Sequence, residues 1–218
     1  MKIYNCIKDF LPIKNAVVTV GTFDGVHLGH QAIFRTMRQE AETIDGETVV
    51  ITFYPHPRIV LGLDSENLKF INTQCKKINR LEESGIDHLI IVPFNKEFAS
   101  ISSKEFINDL VVEKIHPKII VTGFDHHFGK DRGGSFDLLS EIGKKKGFKV
   151  IKVEAQYIND VPVSSTKIRK LLNNGAVLVA NNFLGYEYSI TGKVVTGKSI
   201  GRDIGFPTAN IEVADEYK

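Results

Sequence analysis

The 218 residues carry 28 Lys and Arg against 26 Asp and Glu, a formal net charge of +2, with 42% hydrophobic and 25% charged residues. That length accommodates one sizeable core and part of a second, and the apolar share is enough to build them. The near-neutral balance excludes any demand for a nucleic-acid backbone as partner, and no segment is apolar enough to span a bilayer. The opening MKIYNCIKDF has no secretory hydrophobic stretch, and Cys6 and Cys75 form neither a Cys-x-x-Cys nor a disulfide framework. A cytoplasmic protein with two thiols of no assigned role is the expectation.

Apolar, β-rich runs at 16–20, 48–54, 88–94, 118–124 and 148–153 alternate with helical patterns over 30–42, 73–84, 103–114, 135–146 and 165–173. Strand and helix in regular alternation predict an α/β fold, a parallel sheet covered on both faces, and the unbroken apolar character of the strands agrees. Gly85 and Gly147 stand at helix-to-strand joints. The basic run 144–146 closes the helix after Ser135, where cations favour the exposed carbonyls, and reads as a solvated helix end. Residues 174–184 read as a short connecting helix, and a domain boundary is expected near Gly185. Beyond it, short β-like runs are separated by glycines and no helical pattern returns; this remainder is too short to bury a core of its own.

In open parallel sheets ligands bind beyond the carboxyl ends of the strands, where the chemistry-bearing segments fall. The first strand ends in GTFDGVHLGH, 21–30, which runs into a helix near Leu28 with Ile33, Phe34, Met37 and Ala41 on one face. Unpaired N–H groups and the helix dipole favour an anion there, and Gly25 and Gly29 allow close approach of main chain and ligand. His27 and His30, three apart, share a face and are placed to donate to one phosphate. Zinc ligation and simple helix capping are the competing readings of that pair. Further on, VSSTKIRKLL, 163–172, offers Ser164 as a helix cap, Ser165 and Thr166 as hydroxyl donors, and Arg169 as a planar clamp for β- and γ-phosphates.

The loop from Gly21 through Thr22, Phe23, Asp24, Gly25 and Gly29 to His30, paired with the Ser164, Ser165, Thr166 and Arg169 segment, resembles the two signatures of the nucleotidylyltransferase superfamily, a Rossmann-like fold. TFYPHP, 52–57, and GFDHHFGKDRGG, 123–134, are similar to segments of the bacterial bifunctional riboflavin kinases/FAD synthetases. So is GKVVTGKSIGRDIGFPTANI, which resembles the opening of that family's β-barrel riboflavin kinase domain. The resemblance implies an FMN adenylyltransferase domain over 1–184 and an N-terminal fragment of a kinase domain over 185–218, without kinase activity of its own. It implies ATP with magnesium and FMN as substrates, FAD as product, and small molecules rather than nucleic acid or membrane as partners. His27, His30 and Arg169 would be catalytic; Phe53, Pro55, His56, Pro57, Asp125, Phe128 and Arg132 would meet the flavin; Thr208 and Asn210 would belong to the kinase phosphate site. No protein-only metal site is expected in the first domain, and for His126 and His127, as neighbours pointing to different sides, a metal role is not expected. Phe53 and Phe128 serve equally as core aromatics. Two rivals remain open at this level: a nucleotidyltransferase for another phosphorylated acceptor, and a flavin-binding module without catalysis.

Overall fold

The protein is described here from a computed structural model covering residues 1–62, 68–130, 133–198, 200–214 and 217. The five expected strands form at Ala16–Val20 (β2), Thr48–Tyr54 (β3), His88–Pro93 (β4), Pro117–Gly123 (β5) and Lys149–Val153 (β6). A strand not anticipated, Lys2–Tyr4 (β1), adds to the edge, where its polar residues are tolerated because only one side of the ladder is paired. All pairings in the six-stranded sheet are parallel, in the order β1-β4-β3-β2-β5-β6.

Every residue of β2 is buried, as central strands covered on both faces require. Alternation along it divides the interior in two. Ala16, Val18 and Val20 face a core completed by Phe106, Val111, Ile115, Leu139 and Ile142, whereas Val17 faces one completed by Ile33, Phe34, Met37 and Leu81. The second core is roofed by helices α1 (Leu28–Thr43) and α3 (Gln74–Glu83); a single helical turn, α2 (Pro57–Val60), lies between them in sequence. The first core is roofed by Phe136–Lys146 and by the helical run 103–115. That run was expected as one α-helix, but its middle, Phe106–Val112, is π-helical. The wider turn brings Phe106 and Val111, five apart and both buried, onto the same face.

Ser165–Asn173 and Val177–Leu184 follow, and they bury Ile168, Ala180, Phe183 and Leu184 with Ile71 in a third, smaller core. Gly185 ends the second of these with a left-handed φ of 78°. Beyond it, Lys193–Val195 (β7) and Asn210–Glu212 (β8) pair antiparallel, Val194 opposite Ile211. A four-residue helix at Ile200–Asp203 interrupts a stretch in which no helix was expected; Gly205, with a φ of 82°, turns the chain just after it. Among the described residues no helix is long and apolar enough to cross a membrane.

β2 is the topological switch point: the chain leaves it toward β3 and β4 on one side, then returns to its other side with β5. The crevice beyond the ends of β2 and β5 is where such a sheet receives ligands.

Candidate functional site

The loop leaving β2 is buried and strained. Phe23, Gly25 and Val26 all have positive φ, 50°, 85° and 37°, and a β-branched residue there is a true outlier. Such strain persists only where the surroundings over-determine it, and Phe23 and Val26 are both buried in the second core. Gly25 adopts its conformation freely; a Cβ on it would also stand 2.9 Å from Ile71 Cδ1. A side chain on Gly29 would press within 3.2 Å of the His27 ring, so this glycine makes room for an imidazole as well as for a ligand.

His27 caps α1: its Nδ1 accepts from the His30 amide at 3.4 Å, which leaves Nε2 as the protonated nitrogen. The two rings stack at 3.6 Å with 18° between planes, and Phe23 meets His30 edge-on. Both the capping reading and the shared-face reading of the pair therefore hold in geometry. Burial, with the nearby Arg169 guanidinium assisting, lowers the His27 pKa to about 4, and burial followed by His27 and Lys77 holds that of His30 well below the usual value. Both are neutral near pH 7, so what they offer is N–H donors without a positive charge. His30 Nδ1 is buried with no hydrogen-bond partner among the described residues, an arrangement that a bound polar ligand would relieve.

Asp24, expected among the nucleotide contacts, is instead the keystone of the loop. Its buried carboxylate accepts from the amides of Ile71 and Asn72 and from Arg169 Nη2 at 2.6 Å, so protein donors occupy it. Its backbone carbonyl accepts from Ser165 Oγ at 2.8 Å. Ser164 caps its helix as expected, accepting from the Lys167 amide, while Thr166 is exposed. Arg169 also donates from Nε to the Lys69 carbonyl, so two of its three nitrogens are held by the protein. The segments around 24 and 165, 141 residues apart at the Ser165 bond and 145 at the Arg169 bond, form one hydrogen-bonded unit.

Thr22 supplies its carbonyl to Thr52 Oγ1 at 3.2 Å and to Lys77 Nζ at 3.4 Å. Lys77 was not anticipated as a site residue. Its only signal in the sequence is position: it lies one turn before the buried Leu81 on α3, where an apolar residue belongs.

The TFYPHP segment ends β3 and enters α2. The Tyr54–Pro55 peptide is cis, Pro55 is exposed, and Pro57 takes the first position of α2, capped by His56 Nδ1. Burial first, then the charges of Arg169, Lys77 and Arg58, lower the His56 pKa to about 3, which places His56 beside the same cationic cluster. Phe53 packs on Phe94, Phe98 and Phe106, and Phe106 in turn meets Phe128 at 6.0 Å. Phe53 and Phe128 are half-buried against the first core, and Phe128 with His126 also lines a small apolar cavity under Val20 and Val121. Asp125 and His127 are exposed; Arg132 lies outside the described residues. Among the described residues no group of three His, Cys, Asp or Glu side chains is placed to hold a metal ion.

A family model described as FAD synthetase matches residues 12–167, most of the chain, and another described as riboflavin kinase matches 184–218. This chain belongs to the FAD synthetase family. The bifunctional riboflavin kinase/FMN adenylyltransferase of Buchnera aphidicola subsp. Acyrthosiphon pisum is 38% identical over 218 residues, which is 100% of this chain and 69% of that protein. The protein of the same name from Bacillus subtilis is 40% identical over 203 residues, 93% of this chain and 63% of its own length. A crystal structure described as a macrolide-efflux protein from Streptococcus pneumoniae superposes with a TM-score of 0.85 at 33% identity, covering 98% of this chain and 69% of that one.

Within this FAD synthetase family member the two matched stretches meet at the site. Tyr186, inside the kinase-matching stretch, donates from Oη to the Gly25 carbonyl at 2.6 Å and to Asn72 Oδ1 at 3.0 Å, with the Arg80 guanidinium 4.0 Å above its ring. Burial pushes its phenol up to about 12, so it remains a donor. Lys76 Nζ donates to the Ser189 carbonyl, and Gln31 reaches the Leu184 carbonyl. Thr208 and Asn210 are farther along, both exposed; Asn210 lies against Gly197 and Thr208 against Gly201.

Proposed function

We propose that the buried loop 21–30 and the helix beginning at Ser165 bind the triphosphate of ATP and that the chain transfers AMP from it to FMN, releasing pyrophosphate and forming FAD. The observation carrying this reading is the bond between the two segments: Ser165 and Arg169 grip Asp24, which sets the guanidinium close enough to His27 to act on its ionisation. An FMN phosphate oxygen attacks the α-phosphorus in line, the bond from that phosphorus to the bridging oxygen breaks, and pyrophosphate leaves with the electron pair. The attacking phosphate is already ionised, so the site needs orientation and charge stabilisation rather than a general base.

The neutral imidazoles donate to phosphate oxygens, His27 through Nε2, while Arg169 and the loop amides stabilise the charge growing there. Magnesium would enter on the triphosphate: Asp24, the buried carboxylate of the loop, is already held by its own donors, and among the described residues no group of three His, Cys, Asp or Glu side chains offers a cage. The aromatic row from Phe53 through Phe106 to Phe128, with His56, Pro55 and Pro57 at its rim and Asp125 on the adjoining loop, is the face proposed for the isoalloxazine ring. Residues 1–184 with the contacts made by 186–189 are proposed as the adenylyltransferase unit.

His30→Ala tests the reading: turnover of FMN and ATP to FAD should fall by about 100-fold or more while the melting temperature holds. FAD formation from FMN at a near-normal rate in that variant overturns it.

A further inference from the structure

Lys77 sits on α3 with its side chain buried, although lysine is almost never fully buried without a partner. A structural lysine at such a position snorkels to water or pairs with a carboxylate. This one does neither: it makes no ion pair within 4.0 Å among the described residues, and the carboxylate nearest in effect, Asp24, is already claimed by Arg169. Its ammonium, with three protons to give, has two long acceptors, the Thr22 carbonyl and Thr52 Oγ1, each at 3.4 Å. Thr22 lies just past Val20, the last residue of β2, and Thr52 lies within the last residues of β3 before Tyr54, so both belong to the floor from which the loop rises. A buried, under-satisfied cation costs stability unless an anion completes it.

We propose that Lys77 is a positioning residue for the triphosphate: its ammonium holds the Thr22 carbonyl at the root of the loop and lends positive charge to the floor beneath His30. The inference rests on the phosphate-site reading above but not on the identity of the acceptor. Asp24, His30 and His56 are the titratable groups that feel its charge; Asp24 favours the ammonium, and the two neutral imidazoles do not oppose it. Burial lowers the Lys77 pKa to about 8 with Asp24 acting the other way, so in the free protein the charge is lost as pH rises through that value. A polyanion prefers the protonated form, hence ATP affinity should weaken above about pH 8.

Calorimetric titration with ATP from about pH 7 to 9.5, on the whole chain and on Lys77→Met and Lys77→Arg, tests this directly. Lys77→Met should bind ATP about tenfold more weakly at pH 7, melt no lower than the parent, and lose the alkaline fall in affinity; Lys77→Arg should recover part of the affinity and show no fall near pH 8. A purely structural lysine would lower the melting temperature and leave the pH dependence in place. ATP affinity in Lys77→Met within twofold of the parent, with the same alkaline limb, overturns the inference. So does a parent protein with no such limb, a result that stands even if Lys77→Met fails to fold. A parent that binds ATP with the limb yet forms no FAD from FMN leaves Lys77 in place and refutes the acceptor assignment instead.

Discussion

Among the segments whose sequence resembles phosphate sites, the loop 21–30 and PTAN, 207–210, are treated by the structure in opposite ways. The loop 21–30 is sunk between two strands, two helices and the Ser165–Asn173 helix, with Asp24 4% and His27 5% exposed. The PTAN segment stands on a two-stranded ribbon whose apolar residues face solvent, Val194 at 67%, Phe206 at 75% and Ile211 at 55%. The first has its strained turn packed into a core; in the second, Asn210 and Thr208 are both exposed, Asn210 paired with Val195 across the ribbon. The lesson is that motif residues become a site through the layers that immobilise them.

The comparison can be broken most severely at Asp24. Asp24→Ala leaves the Arg169 guanidinium buried without its carboxylate and frees the amides of Ile71 and Asn72; denaturant unfolding should show a loss of about 3–5 kcal/mol. Acid is the next lever. The unfolded chain protonates its histidines near 6.5, whereas folded His27 resists to about 4, so stability should fall as pH drops through that window and level off below it. For His27 alone the window is worth about 3 kcal/mol, and His56 and His126, lowered to about 3 and about 4, act in the same direction. Thermal melts from neutral to acid pH read this, and a flat profile would contradict the neutral, buried imidazoles. Tyr186→Phe should cost about 1 kcal/mol and modestly weaken ATP binding, because one hydroxyl serves both Gly25 and Asn72. At the small end, Thr208→Ala should change neither FAD formation nor stability beyond about 0.5 kcal/mol. A large loss there would mean that the ribbon contributes to the first site after all.

Much of the first region was legible in the residues. Apolar runs marked the parallel strands to within one or two positions, although the edge strand β6 is not buried as its run led one to expect, and the periodicity of Ile33, Phe34, Met37 and Ala41 marked the inner face of α1. What eluded the sequence was state and partnership rather than place. Nothing in a histidine's letter says that its ring is neutral, since that follows from burial by residues distant in the chain. Asp24 reads as a ligand contact until Ile71, Asn72 and Arg169 are seen converging on it, and those come from two other segments. The π-helical turn in 106–112 was invisible because its composition is that of any apolar helix. Lys77 was hidden by expectation, as lysines are read as surface unless an apolar stripe is seen to run through them.

The bond from Ser165 to the Asp24 carbonyl has an implication for the order in which the chain becomes competent. The strained turn after β2 lacks two of its restraints until the Ser165–Asn173 helix has docked, so a nascent chain shorter than about 170 residues would own every histidine of the loop without the bonds that tie Asp24 to Ser165 and Arg169. Competence arrives late, when Ser165 and Arg169 reach Asp24.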